Sequence, residues 1–279
     1  MWQLIKIELF KIFKKPRTYI AFAAIAAIVF LIQLALYVDG KAYLGFILQS
    51  LEETFEVQGN ILNGYFVCFI ILQTLLVHVP LLIALVSGDI IAGEANMGTL
   101  RLLLTKPVSR TTLMLAKFFA TVTYTIMLLT FMAVLALFGS MLLFGTGDMI
   151  NLKSEMVIIL DVSDIFWRYM AAFAFASLSM ITVCSLAFLL SVLAENSIGP
   201  IISTMAIIIV FTILTTMDIP FFNALKPFLF TNHMLNWKGF FDRPVNNMEV
   251  LKSAAVLVIH AFLFVSLAIL IFRKKDILT

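Results

Sequence analysis

Charge is scarce in this 279-residue chain. Asp, Glu, Lys and Arg make up 13% of it against 62% hydrophobic residues, and the mean hydropathy is +1.08. A water-soluble protein of this length cannot hide so much apolar surface, so an integral membrane protein is expected. Cysteine is nearly missing too. Cys68 and Cys184 both fall in apolar runs and offer neither a disulfide framework nor a metal spacing. Histidine is limited to His78, His233 and His260. There is no H-E-x-x-H, and the 14 methionines are scattered as packing residues are. No G-x-x-x-x-G-K-[ST] occurs, so the chain has no phosphate loop for a nucleotide. No acidic residue lies near the middle of an apolar run, which argues against a proton- or sodium-driven pump. If the chain moves something uphill, the energy is expected to arrive from elsewhere.

What is present is a set of long uncharged runs: 18–38, 57–88, 118–147, 169–194, 196–217 and 253–272. About 20 apolar residues cross about 30 Å of hydrocarbon as a helix. None of the runs alternates as barrel strands do. The expectation is an all-α integral membrane protein forming one domain over 1–279. Its spans are expected at about 18–38, 61–87, 113–144, 166–193, 200–217 and 251–272. With the N-terminus inside, 12 Lys and Arg lie inside and 7 outside. Both termini are therefore expected on the cytoplasmic side of the cytoplasmic (inner) membrane. The basic residues are dispersed at membrane edges, so lipid rather than nucleic acid is the expected charged neighbour. The first apolar run is too long for a cleaved signal peptide.

Residues 2–15 place Trp2, Ile5, Leu9, Ile12 and Phe13 at helical spacing among lysines. This predicts an interfacial helix over 1–16, ended by Pro16; a charged flank that only fixes topology is the alternative. The outer segment 218–249 is rich in Phe, Trp and Pro. It reads as short helices dipping into the outer leaflet, or as an aromatic belt around a loop.

Gln33, Gln73, His78 and Tyr124 are polar groups at membrane depth, and His78 precedes Pro80, where a kink is expected. Such groups mark a translocation path or hydrogen-bond between helices. Ser177, Ser179 and Ser185 with His260 superficially suit an intramembrane serine protease, but none has the glycine-flanked setting that an oxyanion needs. A non-transporting scaffold is the other alternative of a different class.

The segment 88–110 is long for a connector. Ile90, Ile91, Met97, Leu100, Leu103 and Leu104 give it an apolar face. Asp89, Glu94 and Arg101 are expected to face water or a partner, and Gly88, Gly93 and Gly98 to permit sharp turns. Pro107 should stop the helix, with Ser109 as N-cap of the third span. The arrangement G-E-x-x-x-G-T-L-x-x-L-L-x-x-P-V-S-R at 93–110 resembles the membrane subunits of ABC-2 type ABC transporters. The resemblance extends to the basic first helix, the six spans, the elaborated fifth-to-sixth segment with its N-H-M-L-N-W run, and the basic tail. It implies a type V exporter-like fold in which 88–110 is a cytoplasmic coupling helix seated on a separate ATPase subunit. The matching positions are Glu94, Gly98, Thr99, Leu100, Arg101, Pro107 and Arg110, with Asp89 beside them. Glu195, in an echoing E-x-x-x-G, implies a second contact. The resemblance further implies a homodimer on an ATPase dimer, with ATP and Mg held by the ATPase. This chain would then be no enzyme and hold no cofactor. The implied activity is export of an amphipathic, lipid-like, peptide or drug substrate. Copper-enzyme maturation or gliding motility is the alternative within the family, and an accessory protein on the outer side is a further expected partner.

Overall fold

The computed structural model describes residues 1–52, 61–100, 107–153, 156–217 and 219–275. Among them, six helices are long and apolar enough to cross a membrane. Helix α1 spans Trp2–Lys14 and α2 Pro16–Glu52. Pro16 opens α2 as its first residue, where a missing N–H costs nothing, and extended Lys15 makes the corner. Helix α2 outruns the expected first span, because Asp39 and Lys41 are exposed and charges on an exposed face do not end a helix.

Helix α3 spans Gly64–Ser87 and α4 Asp89–Asn96. Asn63 caps α3 by accepting from Tyr65 N and Phe66 N, both at 3.1 Å. Pro80 lies inside α3, and the helix runs on through it. Helix α5 spans Arg110–Ala133 with Ser109 as its N-cap, as expected. A π-turn at Val134–Phe138 leads into α6, Gly139–Phe144. Helix α7 spans Val162–Leu193, α8 Ile198–Thr216 and α11 Asn247–Lys274. Between α8 and α11 lie the short helices α9 (Pro220–Asn223) and α10 (Phe230–Met234), with 3-10 turns at Lys226–Phe228 and Leu235–Phe241. Short helices were the expectation for this segment.

One element departs from all-α. Strands β1 (Met149–Lys153) and β2 (Met156–Leu160) pair as an antiparallel hairpin, with Met149 opposite Leu160. Two short strands carry no signal beside the helical runs, because period-two alternation over five residues is easily lost.

Helix α7 is the core of the bundle: two thirds of its apolar window is buried, against 17% for α8 and α11. The alternation of the six long helices gives the bundle two ends. One carries α1, α4, and the starts of α2 and α5. The other carries the hairpin and the short helices.

Candidate functional site at the charged end

Glu8 sits on α1 in the arc between Ile5 and Ile12 and is 3% exposed. A carboxylate so buried costs several kcal/mol unless cations meet it. Two do. Its Oε1 accepts from Lys11 Nζ at 2.7 Å, and its Oε2 accepts from Lys117 Nζ at 2.8 Å. Lys117, on α5, has no exposed surface and also pairs with Glu94 Oε2 at 2.8 Å. Lys11 closes the figure by donating to Glu94 Oε1 at 3.0 Å. Glu8, Lys11, Glu94 and Lys117 thus form a ring of alternating charge that joins α1, α4 and α5. Beside it, Asp89 accepts from Lys15 Nζ at 2.8 Å and from Arg17. The ring is neutral, whereas Asp89 serves two cations.

The titration shifts follow this balance. Burial alone would raise the Glu8 carboxyl, but Lys117 and Lys11 reverse that and hold it below its ordinary value. Burial would likewise lower Lys11, and Glu8 and Glu94 lift it above its ordinary value instead. For Lys15 the same carboxylates do not suffice: burial, then the neighbouring Arg17, push it down to about 8.

Helix α4 is tied to the bundle at its start. Ile91 N and Ala92 N donate to Ser191 Oγ of α7 at 3.1 and 3.0 Å, so one hydroxyl satisfies two of the N–H groups that a helix start leaves open. The three glycines do not all make turns. Only Gly98 has positive φ, at 69°, and it turns the chain after α4. Gly88 is right-handed helical and admits Pro200 of α8, whose Cβ would lie 3.2 Å from an added Cβ. An added Cβ on Gly93 would collide with the folded-over carboxylate of Asp89.

These placements correct the outward orientation expected of the acids. Asp89 and Glu94 are buried and paired inside the chain. A buried acid needs a cation more than a helix needs a polar outer face, and four meet these two: Lys11 of α1, Lys15 at the corner, Arg17 of α2 and Lys117 of α5. Exposed on this segment are Asn96, Met97 and Gly98 instead. Thr99 donates back to Glu94 O at 3.3 Å, and Leu100 is buried. Arg101 lies outside the described residues. Pro107 is exposed ahead of α5. Arg110 donates to the carbonyls of Phe272, Arg273 and Lys275 at 3.3, 3.2 and 2.9 Å, closing the last turn of α11. Glu195 is exposed on the α7–α8 link.

The four polar residues expected along a path do not come together. Gln33 is buried and donates to Leu135 O and Ser140 Oγ, both at 3.1 Å, so it serves a carbonyl of the π-turn. Tyr124 is buried between Phe13 and Phe22, at ring distances of 6.4 and 6.1 Å, and its hydroxyl has no partner among the described residues. Gln73 and His78 are exposed on α3. The protease grouping is likewise not assembled. Ser177, Ser179 and Ser185 each bond a carbonyl of their own helix, and His260 bonds Val256 O. The Ser–His contact that exists is between His233 Nδ1 and Ser253 Oγ at 2.9 Å, on a serine only 1% exposed. No group of three or more His, Cys, Asp and Glu suited to a metal occurs among the described residues.

Sequence reasoning missed Glu8, Lys117 and Ser191. A signal existed for the first two: a lone acid on the apolar arc of α1, and a lysine a few residues inside a span. Each needs a partner of opposite sign.

A family model described as "Protein of unknown function (DUF2705)" matches residues 24–278. The chain is also similar to "Uncharacterized protein YhcI" of Bacillus subtilis (strain 168), at 25% identity over 198 residues. That stretch is 69% of this chain and 63% of the relative, so the match spans less than two thirds of the relative's length.

Proposed function

We infer that this chain, which belongs to the DUF2705 family, is the membrane-spanning subunit of an ABC-2 type exporter with a type V exporter-like fold. It sits in the cytoplasmic membrane with both termini inside. It pairs with a second copy of itself, and both take energy from a separate ATPase dimer that holds ATP and Mg. Its substrate is amphipathic or lipid-like.

The ionic ring is the observation that carries this reading. A coupling element has to pass displacement on rather than absorb it. Helix α4 meets α1 through Lys11, α5 through Lys117, α2 through Arg17 and α7 through Ser191. A push on α4 therefore reaches four helices at once. Asn96, Met97 and Glu195, exposed at that face, supply the ATPase contact, and Glu94 transmits rather than touches. ATP acts by binding one arrangement of this assembly better than the other. Gln73 and His78, polar and exposed on α3, face the second copy or the path between the two copies.

Two variants separate contact from transmission. Met97→Asp should remove a P-loop ATPase from the purified complex. Glu94→Gln with Lys117→Met should keep the ATPase and its hydrolysis but lose ATP-driven movement of a fluorescent lipid in vesicles. Purification of the chain from its native membranes with no P-loop protein attached sinks the reading.

A further inference from the structure

A cavity of about 560 Å³ opens between α1 and the turn after α4. Its volume suits a bound small amphiphile. Phe10, Ile12, Ile90 and Met97 line it together with Lys11, Lys14 and Lys15 and the carboxylates of Glu8 and Glu94.

The cations here outnumber the acids. Among the described residues Lys11, Lys14, Lys15, Arg17 and Lys117 are five, and Glu8, Asp89 and Glu94 are three, a surplus of two. Lys11 and Lys117 are committed to the ring. Lys14 meets no carboxylate among the described residues and lies over the Phe10 ring, 6.0 Å from its centre. Lys15 shares Asp89 with Arg17. Lys14, Lys15 and Arg17 therefore bring three cations to the mouth of a mainly apolar cavity against one carboxylate, Asp89.

The depth identifies the anion. Lys117 lies seven residues into α5, about 10 Å from its first turn at 1.5 Å per residue, and α1 packs alongside. The cavity thus sits where the uncharged runs give way to basic flanks, the level of lipid phosphates. A free phosphate or nucleotide has no use for the Phe10, Ile12, Ile90 and Met97 wall; an acyl chain does. A zwitterionic headgroup brings its own ammonium and leaves the surplus in place.

We propose that this cavity binds one anionic phospholipid, its phosphate between Lys14 and Lys15 and the top of its acyl chain against Phe10 and Met97. The inference rests on the spans crossing a membrane and does not depend on ATP-driven transport. Burial, and then the neighbouring Arg17, lower the titration of Lys15, and an added phosphate would oppose both.

Native mass spectrometry of the full chain in neutral detergent tests it, with phosphatidylglycerol and phosphatidylcholine offered at equal concentration. Wild type retains phosphatidylglycerol preferentially. Lys14→Gln with Lys15→Gln lowers its retention by about fivefold per lysine, to the phosphatidylcholine level. Lys14→Gln alone, which breaks no ion pair, gives a smaller loss in the same direction and guards against misfolding of the double variant. Lys6→Gln, on the same helix but outside the cavity, changes nothing. Unchanged selectivity in both Lys14 variants overturns the proposal. So does an equal loss in Lys6→Gln, which indicates general surface charge. Displacement of the lipid by millimolar inorganic phosphate also overturns it, because the site is then one for phosphate alone.

Discussion

At one end of the bundle, helices far apart in sequence meet through charged side chains; at the other, they meet through rings. Trp237 and Phe241 are buried against Phe69, at 5.5 and 5.2 Å between ring centres, and Tyr169 lies 4.9 Å from Phe241 and stacks on Tyr65. Arg168 fastens this cap by donating to Phe240 O at 2.7 Å and Asp242 O at 2.8 Å while paired with Asp164. The two attachments answer to different physics. Ring packing depends on shape and tolerates no gap. An ionic ring depends on matched sign, so a broken member leaves a charge buried, and a competing charge can exchange with a member.

Lys117→Met should break the ionic end most. It leaves two buried carboxylates, Glu8 and Glu94, sharing Lys11 as their one cation in the ring, at a cost of about 4 kcal/mol. Adding Glu94→Gln should recover most of the loss in thermal unfolding in detergent, because Glu8 and Lys11 then remain as a matched pair. A lone Lys117→Met variant as stable as wild type removes the ring's structural role.

Trp237→Ala should cost about 3 kcal/mol at the aromatic end, and no change of charge should recover it. Recovery of that variant by a polar substitution nearby erases the distinction between the two ends.

The smallest effect is a pH dependence. Lys15 titrates near 8 in the folded chain, below the ordinary 10.5. Between those values unfolded Lys15 binds a proton that folded Lys15 lacks, so the Lys15 contribution to stability rises with pH across that window. Lys238, at the other end, is lowered by burial too, so the wild-type pH dependence contains a contribution of the same sign from each. Lys15→Met should remove the share belonging to the charged end. Amine-reactive labelling followed by mass spectrometry should modify Lys15 ahead of exposed lysines near pH 8. Lagging labels at Lys15 contradict the assigned cause.

How much of this was legible beforehand depended on range. The six long helices follow from uncharged length, and the α5 cap from Ser109 three residues before Thr112, whose N–H it accepts at 3.1 Å. The bounds of α1 follow from Pro16. These signals lie within a few residues of what they decide. The ring does not: Glu8 and Lys117 are 109 positions apart, and nothing local in either says which partner it finds. The inward turn of Asp89 and Glu94 was missed because polarity on a membrane connector was read as exposure. The π-turn left no trace, since its freed carbonyl is met by Gln33, 102 positions away from Leu135.

The closing of the ring also sets a clock on synthesis. Glu8 emerges with the first helix, and Lys117 is 109 residues behind it. At about 5–20 residues per second, α1 waits roughly 5–20 s before its deepest cation exists. Until then Glu8 must stay in water or at the lipid surface, held only by Lys11. Only when the third span enters the membrane can the first helix settle into place, so the ring records that three separately inserted segments have arrived.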